Sequence, residues 1–212
     1  MYFDYNEKEI EYLKNRCDKI ADVIDKIGII KRTIDSDLFS AVIHHIIGQQ
    51  ISMKAQETIW NRFKDYFKTL NAKSIVETNL DNLQKLGIST RKAEYIYDFA
   101  KKVYFGELDL KSLEKKDDKE VIKELSSLKG IGVWTAEMLL LFCMNRKNVF
   151  SYDDLGIQRG LRMIYHHRKI TKPLFEKYRK RFSPYCSIAS LYIWAVSSGA
   201  IKGMKDYAPK KK

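Results

Sequence analysis

Cysteine, proline and glycine are all scarce in this sequence. Among its 212 residues there are 3 cysteines, 3 prolines and 10 glycines. Cys17, Cys143 and Cys186 lack the close spacing of a zinc or iron–sulfur site, so no such metal centre is expected. A small, odd number of cysteines is typical of a reducing compartment, where a free thiol packs as a small apolar side chain.

Long apolar runs and a secretion signal are also missing. The N-terminus is charged from its first residues, and no apolar segment approaches the roughly 20 residues that span a bilayer. We therefore expect a soluble intracellular protein without a membrane partner. In a bacterium or archaeon it would be cytoplasmic and nucleoid-associated, and in a eukaryote nuclear.

The apolar residues that are present follow a helical pattern. Few prolines and glycines, and no regular apolar–polar alternation, argue against a β-sheet protein. Helical spacing recurs in FSAVIHHIIGQQI (39–51) and KAQETIWNRFKDYF (54–67), and it predicts one first helix over 6–27. Hydrophobic residues make up 45% of the chain, enough for a sizeable core. We predict an all-α protein whose tail, APKKK (208–212), frays.

The charge balance is strongly basic. Lysine and arginine number 39 against 27 aspartates and glutamates, which gives a net charge of +12. A surplus of this size favours a polyanionic partner, with nucleic acid first and an acidic membrane second. A lysine-rich composition inherited from an AT-rich genome is the alternative.

Two closely spaced glycines interrupt the stretch LKGIGVWTAEMLLLF, residues 128–142. Glycine inside a helix costs about 1 kcal/mol relative to alanine, so Gly130 and Gly132 predict a turn between two helices. The amide N–H groups that open the second helix would form an anion site, which suits a DNA phosphate. Lys129 beside the turn supports that interpretation, and an ordinary interhelical turn is the alternative.

Two acidic residues follow in VFSYDDLGIQRGLR, residues 149–162. Asp153 and Asp154 precede a predicted helix, so one interpretation is that they only cap its first amides. A carboxylate on a basic, DNA-facing surface weakens DNA binding, however, so its presence there needs an explanation other than binding. Such a group can stabilise the sugar cation that forms when a base departs, or orient water towards it.

The hairpin and the aspartate together resemble the helix-hairpin-helix (HhH-GPD) superfamily of DNA glycosylases. The closest pattern is that of the 3-methyladenine DNA glycosylase II group, and IIGQQIS (46–52) and LGISTRKAEYI (86–96) match further family segments in order. The resemblance covers roughly residues 36–200 of the chain. It implies two helical lobes with the active site in the cleft between them. We expect one lobe from residues 1–35 with 160–212, and the other from 36–159, with the helix-hairpin-helix near 119–145.

The resemblance also implies roles for individual residues around the reacting base. Asp154 corresponds to the catalytic aspartate, and Trp134, Trp194 and Met138 to positions in the base pocket. Relatives with lyase activity carry a lysine two positions after the second hairpin glycine, where this chain has Trp134. The resemblance therefore implies a monofunctional glycosylase that uses water. Packing in the core remains an alternative for both tryptophans.

The remaining inferred positions concern DNA and a cation. Gln50 corresponds to the side chain that wedges into the duplex, although a buried glutamine at a helix end is the alternative. The DNA-binding hairpin would comprise Lys129, Gly130, Gly132, Val133 and Thr135. The backbone carbonyls of Ser126, Leu128 and Ile131 would bind a structural monovalent cation, Na⁺ or K⁺, and no other cofactor is required.

The sequence thus predicts a monomeric glycosylase that removes alkylated purines, such as 3-methyladenine and 7-methylguanine, from double-stranded DNA. Two alternatives remain open. One is a non-catalytic helix-hairpin-helix module that only binds DNA, and it leaves Asp154 unexplained. The other is a glycosylase or lyase for oxidised or mismatched bases.

Overall fold

The computed structural model describes residues 1–209, and their architecture is all-α. They form twelve α-helices and one short 3-10 helix, and extended chain pairs only at one antiparallel bridge between Tyr2 and Thr33. The predicted fold class is confirmed. Residues 210–212, in the tail that was expected to fray, lie outside the described residues. In the described part of the chain, no helix combines the length and apolar character that a membrane span requires.

The chain divides into two compact units. The first contains residues 1–34 and the chain from 145 onwards, and the second contains residues 35–144. The boundary after residue 34 lies one residue from the predicted boundary after residue 35. The other boundary lies at residue 145 and not at residue 160, because residues 145–159 belong to the same unit as the two termini. The cleft that the family resemblance implies stays a prediction.

Contacts of the segment 145–159 explain the earlier boundary. The backbone N–H of Val149 donates to the Ser187 hydroxyl at 2.9 Å, and that hydroxyl donates to the carbonyl of Arg146 at 2.6 Å. Since Ser187 lies on the last helix of the chain, these bonds attach the segment to the first unit. Contacts so distant in sequence leave no local pattern.

Five helices build the first unit, as far as its residues are described. They are α1 (Glu7–Arg16), α2 (Asp18–Ile27), α10 (Leu155–Tyr165), α11 (Lys172–Phe182) and α12 (Cys186–Ser197). The single helix predicted over 6–27 is wrong, because Cys17 has extended backbone angles (φ −167°, ψ 114°) and separates α1 from α2. The two helices contact each other and bury Leu13 and Ile20. The apolar spacing continues across the break, so the sequence does not reveal it.

Helix α12 is the buried centre of the first unit. It is apolar on nearly all sides, as expected for a helix surrounded by protein, and Ile188, Ile193 and Val196 have no exposed surface. Helix α10 packs directly on it. A β-carbon at Gly160 of α10 would lie 2.3 Å from the carbonyl oxygen of Ile193, so only glycine permits this close approach.

The second unit contains the remaining helices. They are α3 (Leu38–Gly48), α4 (Met53–Tyr66), α5 (Ala72–Val76), α6 (Leu80–Lys85), α7 (Thr90–Tyr104), the 3-10 helix (Ser112–Lys115), α8 (Asp118–Ser126) and α9 (Val133–Phe142). Helices α8 and α9 contact each other and flank the glycine turn, at the position predicted for the helix-hairpin-helix. Ser52 caps α4 by accepting the N–H of Ala55, as polar residues do at helix starts.

Candidate functional site

Asp154 is held in one orientation at the N-terminus of α10. Its Oδ1 accepts the backbone N–H of Ile157 and the indole N–H of Trp194, each at 2.8 Å. The side chain is largely buried, with 8% of the residue exposed, whereas the neighbouring Asp153 is exposed. Asp154 is therefore the N-cap, as one interpretation of the sequence expected. The bond to Trp194 is additional and is not needed for capping.

The contact between Asp154 and Trp194 depends on a second glycine of α10. A β-carbon at Gly156 would lie 2.8 Å from Trp194 Cδ1 and 3.1 Å from Asp154 Oδ1. The first distance is too short for a β-carbon and the second is tight, so glycine at this position leaves room for the indole ring. Sequence reasoning placed Trp194 in a base pocket and missed its bond to the aspartate, because forty residues of sequence separate the two (|i−j| = 40).

The loop before Asp154 is fixed from the same helix. Gln158 donates its side-chain N–H to the carbonyl of Tyr152 at 2.7 Å, and its backbone N–H to the carbonyl of Asp154 at 3.0 Å. The segment that precedes the carboxylate is therefore anchored on both sides. A carboxylate held in this way can act on a reacting centre without first being ordered.

The structure explains the two hairpin glycines in different ways. Gly130 has φ +84°, which favours glycine, and a β-carbon there would lie 2.4 Å from Cδ2 of Tyr95. Gly132 has an ordinary φ of −90°, and a β-carbon there would meet no atom within 4 Å. Gly130 is thus required by the fold, whereas no contact among residues 1–209 requires Gly132. Open space at this position suits the close approach of another molecule.

Gly132 also occupies the N-cap position of α9, but glycine has no side chain that could accept a hydrogen bond from the first amides of the helix. The first amide N–H groups of a helix have no partner inside the helix, and they carry the positive end of its dipole. Val133 and Trp134 at this end are 49% and 42% exposed, whereas Thr135 is buried. Lys129 extends into solvent and pairs with Asp98 at 3.7 Å. The predicted anion site therefore has an accessible backbone and a nearby cation.

The other predicted pocket residue of this unit, Met138, is buried. It lies one helical turn after Trp134 and is 4% exposed. Its side chain therefore belongs to the packed interior, and a role in a base pocket stays a prediction.

The predicted cation site uses backbone carbonyls around the same turn. Ser126 is the last residue of α8, and terminal helix carbonyls lack a partner within the helix. The carbonyl of Leu128 accepts the N–H of Ile131 at 3.1 Å and has a second lone pair available. Uncharged oxygen donors of this kind suit a hard cation, so the donor set fits Na⁺ or K⁺. The cation itself stays a prediction.

The loop between α3 and α4 is attached to the hairpin. Gln50, the predicted wedge, is exposed and has φ +57°, which is uncommon for a residue other than glycine. The side-chain amide of Gln49 donates to the carbonyl of Gly130 at 2.5 Å. Lys92 donates to the carbonyls of Ile47 and Gln49, and burial lowers the pKa of its amine. Gln49 and Lys92 escaped sequence analysis, although both lie in the family segments quoted above.

The candidate residues thus form two sets, one in each unit. Asp154 and Trp194 are brought together in the first unit by the glycines of α10. The Gln50 loop and the glycine hairpin are brought together in the second unit, which also contains Trp134 and Met138.

Comparison with known proteins gives a consistent result for most of the chain. A family model described as HhH-GPD superfamily base excision DNA repair protein matches residues 43–184. The Bacillus subtilis protein YfjP, provisionally named a DNA-3-methyladenine glycosylase, is 30% identical over 170 residues, which are 76% of this chain and 59% of YfjP. The chain therefore spans less than two thirds of that relative's length.

Two solved structures resemble the chain over nearly its whole length. A DNA-3-methyladenine glycosidase of Bacillus halodurans has a TM-score of 0.87 at 28% identity, with 98% of this chain and 97% of that one covered. The 3-methyladenine DNA glycosylase of Schizosaccharomyces pombe, in complex with abasic DNA, has a TM-score of 0.77 at 27% identity, with 91% and 98% covered.

Proposed function

Because the chain belongs to the HhH-GPD superfamily of base excision DNA repair proteins, we propose that it is a monofunctional DNA glycosylase for alkylated purines. Its substrates are bases of the 3-methyladenine and 7-methylguanine type in double-stranded DNA. The abasic DNA bound by the Schizosaccharomyces pombe relative supports DNA as the partner. The net charge of +12 supports it independently.

One observation carries this proposal: Asp154 has a second hydrogen-bond donor that capping does not need. An N-cap requires only an acceptor for the amides of the first turn, which the bond to Ile157 provides. The indole N–H of Trp194 restricts the same oxygen from a different helix. Restriction from two directions is expected of a group whose orientation matters to the reaction.

The carboxylate acts on the bond between the sugar and the base. The bond from C1′ to the purine nitrogen breaks, and its electron pair leaves with the base. An alkylated purine is already cationic, so it departs as a neutral molecule. The sugar is left with oxocarbenium character, which Asp154 stabilises electrostatically while water attacks C1′. The attacking water loses one proton to the surrounding solvent, and an abasic site remains.

The target base must leave the helical stack before this reaction, and an aromatic pocket receives it. Trp134 supports this step, because it is 42% exposed beside the hairpin and an indole face attracts a cationic ring. Trp134 has no amine and cannot form a Schiff base with the sugar. We therefore expect the DNA strand to remain intact after the base is released.

The experiment that tests this function compares Asp154→Asn with Asp153→Asn. Both changes remove one negative charge from adjacent residues, but only Asp154 accepts the bonds described above. Duplex DNA carrying 3-methyladenine or 7-methylguanine is incubated with each protein, and released bases and strand nicks are measured separately. Asparagine also caps helices well, so both variants should remain folded.

We expect the wild type to release alkylated purines without nicking the strand. Asp154→Asn should lower the single-turnover rate about 100-fold or more while DNA affinity is kept or strengthened. Asp153→Asn should behave as the wild type. Equal release by wild type and Asp154→Asn would refute the role of Asp154, and a covalent adduct after borohydride treatment would refute the monofunctional assignment.

We propose that the protein acts as a monomer, in the compartment that contains the genomic DNA. Sedimentation of the protein, alone and with a DNA duplex that carries one lesion, measures its oligomeric state directly. A dimer in either sample would contradict the monomer.

A further inference from the structure

The Gln50 loop is strained, and it is held from two sides. A non-glycine residue at φ +57° costs free energy and persists only where neighbouring contacts fix it. The loop itself is short, since α3 ends at Gly48 and α4 begins at Met53. Its geometry must therefore be maintained by contacts outside it.

Lys92 supplies the first of these contacts. Its Nζ donates to the carbonyls of Ile47 and Gln49 at 2.8 and 2.7 Å. Both carbonyls lie at the C-terminus of α3, where backbone oxygens lack helical partners and the helix dipole favours a cation. One ammonium group thus fixes the chain immediately before Gln50.

Gln49 supplies the second contact. Its side-chain amide donates to the carbonyl of Gly130, which lies 81 positions away in the glycine turn. Gly130 in turn packs against the ring of Tyr95. Lys92 and Tyr95 are both on α7, so one helix supports the loop and the hairpin together.

We propose that Lys92 and Gln49 are positioning residues, which set the Gln50 loop in register with the hairpin so that the wedge is pre-formed before DNA binds. This inference rests on the proposed function, because it assigns a purpose to the loop in base flipping. Neither residue touches the reacting atoms. The hairpin holds the duplex backbone, and the Lys92–Gln49 contacts fix how far the Gln50 side chain lies from it.

Misplacement of this wedge should slow base flipping more than it weakens DNA binding. The phosphate contacts of the hairpin determine most of the affinity and do not include either side chain. A small misplacement of a positioned group can cost about 100-fold in rate. A merely structural role would instead lower thermal stability and affinity together.

The test uses the variants Lys92→Met and Gln49→Ala, with Lys101→Met as the matched control. Lys101 is exposed on the same helix α7, so its substitution removes the same charge without disturbing the loop. Three quantities are measured for each protein: thermal midpoint, affinity for a duplex with an abasic-site analogue, and single-turnover excision rate. The fluorescence of 2-aminopurine placed beside the lesion reports unstacking directly.

We expect each of the variants Lys92→Met and Gln49→Ala to lower the excision rate by about 10- to 100-fold. In each, the fluorescence change of 2-aminopurine should fall by more than half. Affinity should change less than about threefold, because the phosphate contacts are retained. Lys92→Arg should recover part of the rate, since it keeps a cationic donor. The double variant should be no slower than the slower single variant, because both act on one loop.

Wild-type excision and unstacking by Lys92→Met and Gln49→Ala would overturn the inference. Parallel losses of stability and affinity, without rescue by Lys92→Arg, would also overturn it in favour of a structural role. If the wild type itself releases no base, the proposed function fails instead. The two failures are therefore distinguishable.

Discussion

Gly160 of α10 lies against the backbone of Ile193 on α12, so closely that a β-carbon would come within 2.3 Å of the Ile193 carbonyl oxygen. This contact sets the distance between the helix that Asp154 caps and the helix that carries Trp194. The position of the candidate catalytic carboxylate thus depends on a residue without a side chain.

Substitution of that glycine should destabilise the first unit. The added methyl group of Gly160→Ala must push α10 away from α12, and overpacking of this kind costs about 1–3 kcal/mol. Urea unfolding measures the loss. Gly132→Ala is the matched control, because its new β-carbon meets no atom within 4 Å. Equal stability of the two variants would show that the helices can separate without cost.

Trp194→Phe should impair excision while the ring packing is kept. Phenylalanine retains an aromatic ring but removes the N–H that donates to Asp154 Oδ1. We expect a loss of about 1 kcal/mol in stability and a fall of about tenfold or more in single-turnover rate, with DNA affinity unchanged. Trp60→Phe, on the half-buried tryptophan of α4, is the control. An unchanged rate would mean that the bond from Trp194 does not orient the carboxylate for the reaction.

Substitutions of the two hairpin glycines should have separate effects, one on DNA affinity and the other on stability. Gly132→Ala should leave thermal stability intact and weaken DNA affinity about tenfold, or by about 1.4 kcal/mol, because its methyl group enters the space that a phosphate would occupy. Gly130→Ala should destabilise the fold instead, since it combines φ +84° with a contact of 2.4 Å to Tyr95. Calorimetry and fluorescence anisotropy measure the two effects. Unchanged affinity in Gly132→Ala would argue against backbone binding at this helix end.

Mild acid should destabilise the protein through His45. Burial, followed by the nearby His44, lowers the pKa of His45 to about 4 from an ordinary value of 6.5. Between these values the unfolded chain binds a proton that the folded chain does not, so stability falls as the pH drops below about 6.5. For this residue we expect a loss of about 1–2 kcal/mol from pH 7 to pH 5.

The test of this pH effect is urea unfolding at both pH values. His45→Gln removes the titrating group and should reduce the difference between pH 7 and pH 5. His166→Asn, on an exposed histidine, serves as the control. A difference of the same size in His45→Gln would assign the acid sensitivity to other groups.

Cys17 should be the reactive thiol of the folded protein. Burial opposes its ionisation, but hydrogen bonds with Tyr165, with two backbone amides and with Arg181 outweigh it and lower the pKa of the thiol. Burial raises the pKa of Cys143 and of Cys186 to about 12. Iodoacetamide and mass spectrometry should find an adduct at Cys17 alone until the protein is unfolded. Labelling of the other two thiols at a similar rate would contradict this.

The difference between the three thiols shows which of their properties the amino-acid composition predicts. A free thiol was expected to pack as a small apolar side chain, and this is confirmed for Cys143 and Cys186, which are buried. Cys17 is half-buried and occupies the break between α1 and α2. Its environment comes from Tyr165 and Arg181, distant in sequence, so no local pattern could predict it.

The same distinction separates the predicted from the unpredicted parts of the site. The glycine turn and the cap at Asp154 follow from residues close together in the chain, and the sequence was sufficient for them. The bonds of Trp194 to Asp154 and of Gln49 to Gly130 join distant segments. Such pairs depend on helix packing, which periodicity does not specify.

The proposed double role of Asp154, as helix cap and as catalytic group, has a genetic consequence. A single transition turns an aspartate codon into an asparagine codon, and asparagine keeps the acceptor oxygen that Ile157 and Trp194 need. If Asp154 acts as proposed, one point mutation would silence the chemistry while the chain still folds and still binds DNA. An allele of this type would compete with intact copies for lesions, so its phenotype would be dominant, whereas a deletion of the same gene would be recessive.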